Sequence, residues 1–285
     1  MIDLEQQGEV LRRLVNQSFP ISTIDRQMVT EAFGKNVIEA CQDFNLIPSQ
    51  SFIDKVWQLH ESLVARNGVI LLGATLAGKS TLYKILAKVY PKIVMGSSTG
   101  DDGRIMMHVI SPWSLPSKYL YEWNEPEKNR WNDGIITKAL RELSNNSPIS
   151  PRWLVLDGHV HSELVGHLHT LLDASRKLTL PSGEILQIPQ SFRVIFETSD
   201  LTYASPSTIT RCGIVRVSED IVSVDSLYLS WLKRSSFSTD LHPLFDKFMK
   251  MILKPTLDFA VQSSASSYCI IPANQPYLFV VIIKT

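Results

Sequence analysis

Residues 69–81, Val69-Ile-Leu-Leu-Gly-Ala-Thr-Leu-Ala-Gly-Lys-Ser-Thr81, set a four-residue apolar run directly against a glycine-bracketed turn. Val69 to Leu72 read as a buried strand, and the spacing Gly73-x-x-x-x-Gly78-Lys79-Ser80 fits a phosphate-binding loop. In such a loop successive backbone N–H groups point inward, and the helix that follows turns its positive N-terminal end toward an anion. Gly73, Ala74, Thr75, Leu76, Ala77, Gly78 and Thr81 are therefore expected to form the cradle. Lys79 should reach the β- and γ-phosphates of a nucleotide, ATP or ADP, and the Ser80 hydroxyl should ligate its Mg²⁺. Leu82 to Tyr90 continue with helical spacing, as the loop requires.

A second element of the same chemistry lies downstream. Arg152-Trp-Leu-Val-Leu-Asp157 is a short apolar strand ending in a carboxylate, which places Asp157 to hold Mg²⁺ at the C-terminal edge of a parallel sheet. Many phosphate-loop ATPases carry an acidic residue next, to orient the attacking water; here the next residue is Gly158, which has no side chain to do so. The nearest polar substitutes are His159, His161 and Glu163. Slow or absent hydrolysis is the expectation. Phe192 to Asp200 form a further strand with a polar end, the element that lies between the other two in many related sheets, and Asp200 or Ser199 is placed to sense the γ-phosphate.

The flanking regions read mostly as helix. Val10 to Val15, Met28 to Cys41 and Phe52 to Val64 have helical apolar spacing and lead into the phosphate-loop strand. Arg104 to Ile110 read as a strand, Ile135 to Leu143 as a helix, and Lys177 to Ile188 as a hairpin turning at Pro181-Ser-Gly183. Beyond Val217, Val224 to Leu232 and Leu244 to Leu253 supply apolar stripes for a helical lid, the second interrupted at Pro255.

Composition narrows the classes further. With 28 basic and 28 acidic residues the chain has no global field to draw nucleic acid or an anionic membrane, and it shows no basic cluster, so neither is expected as a partner. Three widely spaced cysteines argue against a disulfide framework and for a reducing, cytosolic compartment. His159, His161, His167 and His169 form two His-x-His pairs, but residues two apart on a helix face apart, so solvated or hydrogen-bonded histidines are expected rather than a metal site.

Several ordered motifs together resemble an AAA+ module of a dynein heavy chain. They are the loop Gly73 to Ser80; Ile110-Ser-Pro with Trp131-Asn-Asp-Gly134; Trp153 to Gly158; Leu168 to Asp173; Lys177 to Glu184; and Phe196-Glu-x-x-Asp-Leu201 with Ala204-Ser-Pro-Ser-Thr-Ile-Thr-Arg-Cys-Gly213. The resemblance runs over roughly residues 8 to 275 and implies an α/β P-loop NTPase fold of AAA+ type, a parallel sheet flanked by helices with a C-terminal α-helical lid. It implies three parts: a helical segment 1–66, a nucleotide-binding subdomain 67–217 and a lid 218–285. The Asp-Gly ending of the Asp157 strand is most like the second module of the motor ring, which the resemblance implies binds ATP structurally and hydrolyses it poorly. Arg211 then corresponds to an arginine finger acting on the neighbouring module. The implied partners are neighbouring AAA+ modules of the same heavy chain and, through the full-length motor, intermediate and light chains and microtubules, in the cytoskeleton including the ciliary axoneme. Leu76 stands where many such loops have glycine, Asp200 where a typical sensor has asparagine, and His169 where the family has asparagine. The residues before the loop resemble the tail of a preceding module, so a fragment of a longer chain is expected. The rival readings are a free-standing NTPase or kinase with its own turnover, and a scaffold with a vestigial loop.

Overall fold

Val69 to Leu71 are wholly buried because their strand has neighbours on both edges and helices on both faces, the setting in which a parallel strand carries an unbroken apolar run. The computed structural model describes residues 23–94, 105–125, 127, 130–145, 151–234, 241–264 and 279. The expected helix over Val10 to Val15, the loop between Pro148 and Pro151, and most of the C-terminal run fall outside them.

The described elements are α1 (Thr23–Asp43), α2 (Gln50–Ala65), β1 (Gly68–Leu72), α3 (Lys79–Val94), β2 (Met106–Ile110), β3 (Glu122–Glu125), β4 (Arg130–Asp133), α4 (Ile135–Asn145) and β5 (Arg152–Asp157). There follow α5 (Ser162–Gly166), α6 (His169–Leu172), β6 (Lys177–Thr179), β7 (Ile185–Gln187), β8 (Phe192–Thr198), α7 (Pro206–Arg211), β9 (Cys212–Arg216), α8 (Val224–Arg234), α9 (His242–Phe248) and α10 (Lys254–Ser264). The main sheet has five strands in the order β2-β5-β8-β1-β9, every pairing parallel. The strand ending at Thr198 thus lies between the phosphate-loop strand and the Asp157 strand, as its sequence implied.

Two cores sandwich the sheet. On one face α1, α2 and α3 contribute Phe33, Val37, Val56, Leu59, Leu82 and Leu86 against Val69, Leu71 and Val155. On the other, Ile136, Leu140, Leu143, Val165 and Leu168 close over Ile70, Leu154, Leu156 and Val194. A third cluster, Val224, Tyr228, Leu232, Met249, Leu253 and Leu257, joins the C-terminal helices. Each buried aliphatic side chain stabilises by about 1.5–3 kcal/mol, which is why the helical periodicity in these segments was readable.

Two details depart from the sequence reading. Pro255 does not interrupt its helix: a π-helical turn over Met249–Leu253 leads straight into α10, and the widened turn admits a proline ring that lacks the N–H an ordinary turn needs. Only Met249 and Leu253 of the expected stripe are buried, while Leu244, Phe248 and Ile252 are exposed. Glu122–Glu125 and Arg130–Asp133 also pair in an unexpected antiparallel ladder, β3 with β4. It is tied to the hairpin of β6 and β7 by Arg141, which donates to Asp133 and in a fork to both Glu184 oxygens. The turn of the latter hairpin has Gly183 at φ 89°, where the sequence placed it.

Candidate nucleotide site

The phosphate loop leaves the C-terminal end of β1 and enters α3 at Lys79, between β8 and β9. Gly73 N–H donates to the Thr198 carbonyl at 3.1 Å and Val217 N–H to the Leu72 carbonyl at 2.7 Å, so both neighbouring strands grip the start of the loop. Gly73 is needed for this close approach: a Cβ there would lie 2.2 Å from the Val217 carbonyl oxygen. Leu76, at the position where many related loops have glycine, adopts a left-handed φ of 62° and is 41% exposed. The loop therefore holds a leucine in the left-handed region at some strain.

Lys79 is buried, and its Nζ donates to the carbonyls of Gly73 and Ala74 at 2.7 and 2.8 Å, spanning the mouth of the loop. Burial holds its pKa below the ordinary lysine value, while the nearby Glu197 and Asp157 carboxylates act in the opposite direction. The Ser80 hydroxyl donates to Glu197 Oε1 at 2.7 Å. Asp157 ends β5 in register with Glu197 on β8, and both line the cleft. Glu197 is only 7% exposed, its second oxygen, Oε2, has no hydrogen-bond partner, and burial raises its pKa above the usual carboxylate value.

The cleft has a volume of about 500 Å³, in the range of small-molecule sites. Its polar end is Thr75, Lys79, Ser80, Asp157 and Glu197. Its apolar end is Leu46, Ile47, Pro48 and Phe52 from the entry to α2, with Ile221 and Leu227 from the segment leading into α8. Ser49 caps α2, accepting from Phe52 N–H at 3.2 Å, and donates to the Ile221 carbonyl at 3.0 Å, which clips the two sides of the apolar end together. A glycine-bracketed loop with a lysine at one end and apolar walls at the other suit a nucleotide. The hydroxyl and carboxylate oxygens of Ser80, Asp157 and Glu197 beside Lys79 are the hard donors that Mg²⁺ prefers, so these side chains fit such an ion.

The other expected site residues are distributed as follows. Gly158 follows Asp157 at φ 145°, and Trp113 packs over it, its Nε1–H donating to the His159 carbonyl at 3.2 Å. Asp200 lies beside the cleft rather than in its wall. Its carboxylate accepts from Thr202 N–H and Ser199 Oγ, both at 3.1 Å, and the Thr202 hydrogen bonds hold its pKa low, while Thr198 and Ser199 line the cleft instead. Asp200 therefore serves as a turn residue, bonding the backbone two residues on.

The histidines are separated by role. His161 caps α5, His159 lies 3.6 Å from Asp200, and His169 Nε2 shares a hydrogen bond of 2.9 Å with Thr208 Oγ1. Arg211 ends α7 at the N-terminal edge of β9, the sheet edge opposite the phosphate loop and a strand's length, roughly 16 Å, from it. Its Nε donates to Asp173 Oδ1 at 2.8 Å and its Nη1 to the Ser207 carbonyl at 2.9 Å.

Sequence reasoning missed Glu197 and the apolar end of the cleft. Glu197 was visible as the lone acid of the strand, next to the apolar run Val194 to Phe196, a residue type that is rarely buried without a partner.

A five-stranded parallel sheet with a phosphate loop on its central region and carboxylates at the C-terminal ends of the adjoining strands defines a P-loop nucleotide-binding protein of α/β class. Residues 68–212 match the family described as AAA domain (dynein-related subfamily), and residues 4–80 match the hydrolytic ATP binding site of dynein motor region. The chain belongs to the dynein-related AAA family. It is 29% identical over 252 residues to dynein axonemal heavy chain 12 of Rattus norvegicus, covering 87% of this chain and 8% of that protein. It is 31% identical over 237 residues to cytoplasmic dynein 2 heavy chain 1 of Mus musculus, covering 81% and 5%. To dynein axonemal heavy chain 1 of Homo sapiens it is 31% identical over 240 residues, again 81% and 5%. The chain spans less than a tenth of the length of these relatives.

Proposed function

We propose that the chain is a nucleotide-holding module of a dynein-type motor ring, most like the second module, which binds ATP or ADP with Mg²⁺ and turns it over slowly or not at all. The observation that carries this reading is the conformation of Gly158. The position that would supply the water-orienting carboxylate has a backbone suited to glycine and lies under Trp113, while the glycine-bracketed loop and Lys79, proposed to grip phosphate, are in place.

In this reading the loop N–H groups and Lys79 bind the phosphates, Ser80 and Asp157 orient the metal, and the metal when bound neutralises phosphate charge. The apolar end takes the base, and α8 to α10 form the lid, with divisions near residues 66 and 217. Arg211 acts on the nucleotide of the neighbouring module, presented by Asp173. Its position at the sheet edge away from its own loop supports this, and a planar, permanently charged fork suits phosphate oxygens. Neighbouring modules, the other chains of a dynein motor, microtubules and a cytoskeletal or axonemal setting belong to the same proposal, as the relatives' names suggest.

A reading with intrinsic turnover has one observation in its favour, the buried Glu197 within the cleft. Its hydrogen bond to Ser80, the residue proposed to ligate the metal, favours a role on the metal side of the phosphates over one beyond the γ-phosphate where water attacks. Calorimetric titration with Mg·ADP and Mg·ATP, beside a steady-state turnover assay, tests the proposal: binding with little turnover supports it, and no binding sinks it.

A further inference from the structure

We infer that Glu197, on the strand beside the one that carries Asp157, is the carboxylate that orients the Ser80 hydroxyl toward Mg²⁺ and supplies the metal's second acidic partner. The inference rests on the nucleotide site proposed above and adds to it a residue that the phosphate-loop and Asp157 motifs do not contain.

The geometry comes first. A metal-ligating hydroxyl offers a lone pair to the cation and must send its hydrogen elsewhere. Ser80 Oγ sends it to Glu197 Oε1 at 2.7 Å. Asp157, which the sequence placed to hold Mg²⁺, sits at the exposed end of β5, in register with Glu197. Two carboxylates on adjacent parallel strands at paired positions leave the same sheet face, so they and Ser80 converge on one corner of the cleft.

Burial supplies the second argument. Glu197 is 7% exposed, and its Oε2 has no hydrogen-bond partner although it belongs to a residue in the cleft wall. A buried carboxylate oxygen with nothing to accept from is costly, and such groups persist where a cation or its bound water completes them. A purely structural glutamate would be expected to satisfy both oxygens within the fold. The surrounding oxygen donors and the neighbouring phosphate grip favour Mg²⁺ over a softer metal.

The test is titration of the whole chain with ADP in excess Mg²⁺ and in EDTA, for the wild type, Glu197→Gln and Asp157→Asn. The readout is the ratio of the two affinities, which requires no turnover. Loss of an outer carboxylate partner typically costs metal affinity about 10–100-fold, so the ratio should fall by about tenfold or more in Glu197→Gln, at least as far as in Asp157→Asn. Should Glu197→Gln unfold, Glu197→Ala, which removes the unpartnered oxygen altogether, is read in the same way. A ratio in the Glu197 variant equal to wild type, or a wild-type ratio of one, overturns the inference alone. Absence of ADP binding by the wild type in both buffers overturns the nucleotide site itself.

Discussion

Trp113 occupies the space that a side chain on residue 158 would need. A Cβ built on Gly158 would lie 2.4 Å from Trp113 Cδ1 and 2.9 Å from its Nε1, and Gly158 has φ 145°, a region that residues with a side chain rarely adopt. Gly158 is therefore part of a local structure in which the indole, the His159 carbonyl and the turn after Asp157 fit together.

Gly158→Ala should destabilise the chain by about 1–3 kcal/mol, the usual cost of forcing a residue into such a backbone region. Repeating the substitution in a Trp113→Ala background separates the two causes. Trp113 is 56% exposed and removable, so the contact part of the loss should be recovered and the backbone part should remain. Thermal or denaturant unfolding of the four proteins checks this, and full recovery in the double variant would show that the backbone is not strained. Gly158→Glu, which adds the carboxylate sequence analysis found missing, should for the same reason fail to create an efficient hydrolase.

Arg211 and Asp173 make a second prediction. Their 2.8 Å ion pair is partly exposed, so Asp173→Ala should cost the isolated chain no more than about 1 kcal/mol. In an assembled ring both Arg211→Ala and Asp173→Ala should lower turnover at the neighbouring module, Asp173→Ala by less because it only aims the guanidinium. An unaltered neighbour rate in Arg211→Ala removes the finger assignment.

Stability should fall in mild acid. Burial holds His60 and His169 below the ordinary histidine value of 6.5, with the Arg211 charge adding to the effect at His169. Below pH 6.5 the unfolded chain takes up protons at these positions before the folded chain does. The stability they permit is thus complete above 6.5 and is lost as pH falls through 6.5 toward the lowered folded values. His169→Asn, which retains a polar group beside Thr208, should flatten part of that decline in unfolding measured from pH 7.5 to 5. An unchanged slope contradicts the assignment to His169.

The phosphate loop, the Asp157 strand and the Lys177 to Ile188 hairpin were legible in sequence because their chemistry fixes residue types at short, constant spacings. The central position of β8 followed from the same pattern. Glu197 was passed over for Asp200 and Ser199, three and two residues on, because which residue at a strand's end faces the cleft depends on register against β5 and β1. The apolar end of the cleft joins residues near 46 to residues near 227, a closure over sequence distances that no local pattern encodes. Pro255 was misjudged because a π-helical turn leaves no signature in apolar spacing.

The central claim is a nucleotide grip without efficient chemistry, and Lys79 is its most direct probe. Calorimetric titration of wild type and Lys79→Ala with Mg·ATP, with phosphate release followed in the same samples, should find binding by the wild type, a loss of affinity of at least about tenfold, or about 1.4 kcal/mol, in the variant, and little phosphate from either. Sustained phosphate release by the wild type that Lys79→Ala abolishes would contradict the account, and so would a wild type that does not bind.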